Sequence, residues 1–151
     1  MISIALFEPE IAGNVGAVLR LGACLGAAVD LIEPMGFAWD DRRVRRTAMD
    51  YIDHVDVTRH ASFDAFRATV ATRRLVLFTT KASDSAYNFR FAADDILLFG
   101  KESAGVPASV ADACDARVRL PLRPEVRSMN LATAAALGLG EAMRQTNCLP
   151  G

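Results

Sequence analysis

The chain has 151 residues, 52% of them hydrophobic and 23% charged, with a formal net charge of −1 and a mean hydropathy of +0.20. This composition excludes a disordered or low-complexity chain, and no apolar run approaches the roughly 20 residues of a membrane-crossing helix. The near-neutral charge argues against coating nucleic acid by bulk charge while leaving local recognition open.

The length predicts a single domain over 1–151, large enough to bury a substantial core. The opening MISIALFEPE has no basic region followed by a cleavage site, so no secretory leader is expected. Cys24, Cys114 and Cys148 have no CxxC spacing. They predict no disulfide framework and no metal site, and they fit a reducing cytoplasm. Of the 17 basic residues 15 are arginine and two are lysine, Lys81 and Lys101. Arginine grips phosphate with two donors at once, so the skew suits RNA contact as well as it suits an arginine-rich genome.

In chain order, Ile2–Phe7 reads as a buried strand. Asn14–Leu25 follows with helical spacing of Val15, Val18, Leu19 and Leu25, and Asn14 is a candidate N-cap. Ala28–Ile32 is a second strand. Asp40 is placed to cap a helix over Arg42–Met49, which carries the basic cluster Arg42, Arg43, Arg45 and Arg46. Val55–Thr58 is a weak strand, and Ser62 is placed to cap a helix running through Ala71. Leu75–Thr79 and Ile96–Phe99 are strong strands, separated by an irregular stretch, Lys81–Asp95. Pro107–Ala113 reads as a helix, with proline where a first turn tolerates it. Arg117–Leu120 is a strand, and Asn130–Gln145 the last helix. Alternation of this kind predicts an α/β fold with a mostly parallel sheet and helices on both faces.

Ligands of such sheets bind beyond the carboxyl ends of strands, and three clusters lie there. The first, EPEIAGNVGAVLR, holds Gly13 and Gly16 at a helix entrance, with Arg20 further along. It is not the GxGxxG of a dinucleotide site, although Glu33 after the second strand would suit a ribose. The second, LLFGKESAGVP, has Gly100 and Gly105 around a polar turn and lacks the GK[ST] of a P-loop. Taken alone, Lys101 and Glu102 read as a solvated pair and Arg20 as a solvated helix arginine. In the third, RLPLRPEVRSMNLATAAALGLGEAMRQ, Pro121 and Pro124 stiffen a loop, Ser128 and Asn130 are cap candidates, and the helix beyond is apolar nearly all round. That helix needs cover on more than one side, and a second copy of the chain would supply it. His54 and His60 match no nucleophile at a recognisable spacing.

Together these clusters resemble the three motifs of the SPOUT superfamily of RNA methyltransferases. The first motif is Asn14-x-Gly16-x-x-x-Arg20. The second is a strand followed by Gly100-x-Glu102-x-x-Gly105-x-Pro107. The third is Ser128-x-Asn130-Leu131. LFEPEIAGNVG, IEPMGFAWDDRRVRR and VTRH look closer still to the small single-domain members that act on tRNA. The likeness spans Met1 to about Gln145.

The resemblance implies a C-terminal trefoil knot, a homodimer, and S-adenosylmethionine as methyl donor with no metal. It implies 2′-O-methylation of the wobble ribose, cytidine or modified uridine, in the anticodon stem-loop of leucine tRNAs. By matching position Phe78, Gly100, Leu120 and Ser128 line the donor site, with Glu102, Gly105, Leu122 and Leu131 close by. Arg20, Asn14, Ser128 and Asn130 take the catalytic positions. Other targets in tRNA or ribosomal RNA, or a non-catalytic RNA-binding knot protein, are the alternatives. The chain departs from the pattern at Ser103-Ala104, where an arginine is expected, at Ala12-Gly13, and at Gly140, where an aromatic is expected.

Overall fold

The computed structural model describes residues 1–48, 50–70 and 72–151. Ser3–Phe7 (β1), Leu75–Phe78 (β4) and Ile96–Phe99 (β5) are buried at every position, as strands covered on both faces must be. Val29–Ile32 (β2), Val57–His60 (β3) and Ala116–Val118 (β6) complete the sheet. Its order is β3-β2-β1-β5-β4-β6, and every pairing is parallel. The helices are Ala12–Leu25 (α1), Asp41–Ala48 (α2), Phe63–Thr69 (α3), Ala108–Ala113 (α4) and Leu131–Thr146 (α5).

Alternate residues of each strand point to opposite faces. Ile4, Leu6, Leu31, Val76, Leu97 and Phe99 meet α1, α2 and α5 through Val18, Leu19, Val44, Ala135 and Leu139. Ala5, Phe7, Ile32, Leu77 and Leu98 face the other way, onto Phe66 of α3 and Val110 of α4. Each valine, leucine, isoleucine or phenylalanine among these contributes about 1.5–3 kcal/mol by leaving water. No helix among the described residues is long and apolar enough to cross a membrane.

Several element ends differ from the sequence reading. α1 begins at Ala12 with Ile11 at its N-cap, so Asn14 is the third helical residue and not the cap. β3 starts two residues later than expected, since its exposed Thr58 and Arg59 leave little apolar pattern to mark it. A short 3₁₀ turn over Tyr51–His54 has no counterpart in the reading. Pro107 is the N-cap of α4 rather than its first residue. Ser62 does cap α3, its hydroxyl accepting from the Ala65 N–H at 3.1 Å. The expected helix ends at Met49 and Ala71 lie outside the described residues.

Because all strands run the same way, the segments after β1, β5 and β6 emerge at one end of the sheet. The chain moves outward from β1 to β2 and β3, then returns to build β4, β5 and β6 on the other side of β1. The reversal falls between β1 and β5, a topological switch point where loops diverge and leave a crevice.

Candidate active site

At that crevice the entrance of α1 has no cap of its own, since Ile11 offers no side-chain acceptor. Glu102, from the turn after β5, supplies one. Its Oε1 accepts the Glu10 N–H at 2.9 Å, and its Oε2 accepts the Ile11 N–H at 2.9 Å. Oε2 also accepts from Asn14 Nδ2 at 3.1 Å. A carboxylate here meets unsatisfied donors and the positive end of the helix dipole. The expected solvated pair of Lys101 and Glu102 is therefore not found. Lys101 lies 3.5 Å from Glu8 instead.

The relay continues. Asn14 Oδ1 accepts from Asn130 Nδ2 at 2.9 Å, and Asn130 Oδ1 accepts the Thr133 N–H at 3.1 Å as the cap of α5. An ionised carboxylate can only accept, so it turns the Asn14 amide nitrogen toward itself. The oxygen of Asn14 must then face the nitrogen of Asn130, whose own oxygen is left for Thr133. Four groups, on three segments, thus share one hydrogen-bond polarity.

A second clasp binds the same two loops. The Glu10 carboxylate accepts from the Ser103 N–H at 2.8 Å and from its hydroxyl at 2.7 Å. These bonds, the hydroxyl first, hold the Glu10 carboxyl below its ordinary range. The turn is closed by mutual Lys101–Gly105 main-chain bonds of 3.0 and 2.9 Å. Gly105 has φ +65°, and a Cβ on Gly100 would stand 2.5 Å from the Gly105 main chain. Both glycines are demanded by the turn.

Of the expected donor-site residues, Gly100, Leu120 and Leu122 are half-buried at the crevice end of the sheet, and Ser128 is exposed. Gly100, Leu120 and Leu122 make no main-chain hydrogen bond among the described residues. Half-buried leucines beside free peptide groups offer an apolar wall with polar edges, which fits an adenosine. Phe78 and Leu131 are each 8% exposed. The Phe78 ring stacks on Phe99 at 4.8 Å and lies against Gly138 of α5.

Arg20 is half-buried on α1, its guanidinium 5.0 Å above the Tyr51 ring. It does not join the Glu102–Asn14–Asn130 relay. Glu33, considered for a ribose, is paired with Arg59 at 2.7 Å. His60 is buried, its Nε2 2.7 Å from Asp30. No group of three metal-ligating side chains occurs among the described residues. Glu10, Ser103 and Tyr51 were missed by sequence reasoning. The partners of Glu10 and Ser103 stand 93 positions apart, beyond the reach of any local spacing.

A parallel sheet with three strand-end loops gathered at its switch point defines an α/β enzyme scaffold. Residues 1–140 match the SpoU rRNA Methylase family, and the chain belongs to it. It is 55% identical over 148 residues to the tRNA (cytidine(34)-2′-O)-methyltransferase of Beijerinckia indica, covering 97% of this chain and 92% of that one. A solved structure described as giving insight into the 2-OH methylation of C/U34 on tRNA superposes with TM-score 0.91 at 38% identity, covering 96% of this chain and 95% of that one. The SpoU methyltransferase AviRb of Streptomyces viridochromogenes, solved with the cofactor AdoMet, has TM-score 0.81 at 26% identity, over 95% of this chain and 57% of that one.

Proposed function

We propose that the protein is an S-adenosylmethionine-dependent RNA ribose 2′-O-methyltransferase acting on the wobble nucleotide, cytidine or modified uridine, of leucine tRNAs through the anticodon stem-loop. The observation that carries this reading is the Glu102–Asn14–Asn130 relay, which joins the three motif segments at one crevice in a chain of this family. The relatives' names supply the wobble ribose as target. The AdoMet complex of AviRb supports the donor.

The bound sulfonium supplies an already activated methyl group. The chain's task is then alignment and proton removal. The ribose 2′ oxygen would take the methyl group from the sulfonium, which would leave as a neutral thioether, and the hydroxyl proton would pass to the neighbouring phosphate. Phe78, Gly100, Leu120 and Ser128 line the donor, with Glu102, Gly105, Leu122 and Leu131 close by. Asn14 and Asn130 fix the approach of the α1 and α5 ends, and Glu102 holds Asn14. Arg20 positions a phosphate beside the reacting hydroxyl. A guanidinium stays protonated, so it orients and stabilises charge and does not take the proton.

In this reading 1–151 is one catalytic domain of the cytoplasm, with its C-terminal segment threaded as a trefoil knot. Two copies pair through the face of α5 that leaves Leu137 43% exposed. The test is Arg20→Ala, assayed by tritiated methyl transfer to unmodified leucine tRNA beside a donor-binding titration. Losing a well-placed charged contact to the transition state costs about 3 kcal/mol, roughly a hundredfold in rate, with donor affinity unchanged. Near-normal transfer by the variant would remove Arg20 from the mechanism. No transfer by the wild-type protein would overturn the reading.

A further inference from the structure

Four arginines fall within five consecutive positions, Arg42, Arg43, Arg45 and Arg46, and no five-residue window outside this cluster holds more than two basic residues. The structure places all four on α2 and leaves them exposed, while Val44 and Ala48 of the same helix are buried. Arg45 is committed to Asp53 at 3.1 Å. Arg42, Arg43 and Arg46 make no side-chain ion pair among the described residues. The acidic residues at the head of the helix are occupied. Asp40 accepts the Arg42 N–H at 2.9 Å, and Asp41 accepts the Trp39 indole N–H at 2.7 Å.

This face is fastened to the helix that carries Arg20. Gly16 of α1 lies so close to Thr47 of α2 that a Cβ at Gly16 would overlap the threonine side chain. Immediately beyond α2, the Tyr51 ring lies under the Arg20 guanidinium. Arg42 and Arg46 stand one turn apart, about 6 Å along the axis, and Arg43 and Arg46 are neighbours on the surface. A nucleic-acid strand carries one charge per roughly 3.4 Å of helix axis, so neighbouring phosphates meet neighbouring guanidinium forks.

We propose that the outer face of α2 is an RNA-docking surface, on which Arg42, Arg43 and Arg46 bind backbone phosphates flanking the nucleotide presented to Arg20. The inference rests on the RNA-methyltransferase reading above. It adds where the chain grips its substrate away from the reacting ribose.

The test compares wild type with the triple variants Arg42→Gln/Arg43→Gln/Arg46→Gln and Arg42→Lys/Arg43→Lys/Arg46→Lys. All three positions are exposed, and thermal unfolding checks that the fold is kept. Anisotropy titrations with unmodified leucine tRNA are run across a salt series, beside methyl transfer at saturating tRNA and a donor titration. With each phosphate contact contributing about 0.7–0.9 to the slope of log K against log salt, the Gln variant should lose roughly 2–3 from it. Its KM for tRNA should rise at least tenfold, with kcat within about twofold and donor affinity unchanged. The Lys variant should keep the wild-type slope. A wild-type slope and KM in the Gln variant would overturn the proposal, as would a Lys variant as impaired as the Gln one. A wild-type protein that methylates no RNA yet shows the α2-dependent slope would overturn the activity reading and keep the surface.

Discussion

Replacing Glu102 by alanine tests how far the site depends on a cap borrowed from a distant loop. The substitution removes three hydrogen bonds at once, from the Glu10 N–H, the Ile11 N–H and Asn14 Nδ2. At a net of about 1 kcal/mol per bond, the loss is about 3 kcal/mol. For a domain of this size each kcal/mol moves Tm by about 2–4 °C, so Glu102→Ala should melt roughly 6–12 °C lower. Glu102→Gln keeps acceptor capacity on one oxygen but turns an amide nitrogen on donors, and it should fall between. The relay adds a second signature. With Glu102 gone, the Asn14 amide is no longer held in one orientation, so Glu102→Ala and Asn14→Ala combined should cost less than their sum. Calorimetric melting of the singles and the double, with a donor titration of each, reads all of this. A Glu102→Ala protein melting within about 2 °C of wild type, or strict additivity with Asn14→Ala, would refute the relay as an energetic unit.

Gly100→Ala places a Cβ 2.5 Å from the Gly105 main chain, so the turn must open. Donor affinity by calorimetry should fall at least tenfold, whereas Gly105→Ala, which meets only the strain of φ +65°, should cost about 1–2 kcal/mol of stability. Burial pushes the Cys114 thiol up to about 11, while Cys24 is exposed. At pH 8 a thiol reagent should therefore modify Cys24 quickly and Cys114 only as the fold opens. Because the Cys114 pKa is raised in the fold, its contribution to stability is present below the ordinary thiol pKa and is lost as pH rises toward 11. The Glu10 carboxyl is lowered by Ser103, so the clasp stabilises above the ordinary carboxylate range and is lost as pH falls through the folded value. Carbon-detected NMR titration should find Glu10 closer to an ordinary glutamate in Ser103→Ala.

The strong apolar runs of β1, β4 and β5 were legible in the sequence because burial on both faces leaves no polar position to interrupt them. β3 begins two residues later than its sequence suggests, because Thr58 and Arg59 are exposed and its apolar pattern is weak. The start of α1 was misread for a different reason. Asn14 has the side chain of a cap, and the true acceptor, Glu102, is 88 positions away. Motif spacing brought Asn14, Glu102 and Asn130 to notice. It did not say which bonds which, since that follows from sheet order and from the one-way hydrogen bonding of a carboxylate. Phe78 shows the opposite limit. The resemblance puts it at the donor site by position, whereas the direction of its ring, toward α5, follows from the parity of β4 in the sheet.

The borrowed cap also changes what the beginning of α1 is as a dynamic object. Helix ends ordinarily fray, and their amide protons trade with solvent by small local openings. Here the Glu10 and Ile11 amides are held by Glu102, across 92 and 91 positions of chain. Releasing them requires the turn after β5 to withdraw, and that turn is itself pinned by Ser103 to Glu10 and by Gly105 to Lys101. The Glu10–Ile11 segment that leads into α1 and the Gly100–Gly105 turn therefore open as one unit. Exchange at these two amides reports on the loop after β5 rather than on the helix that follows them, and a donor bound at Gly100 should slow both together.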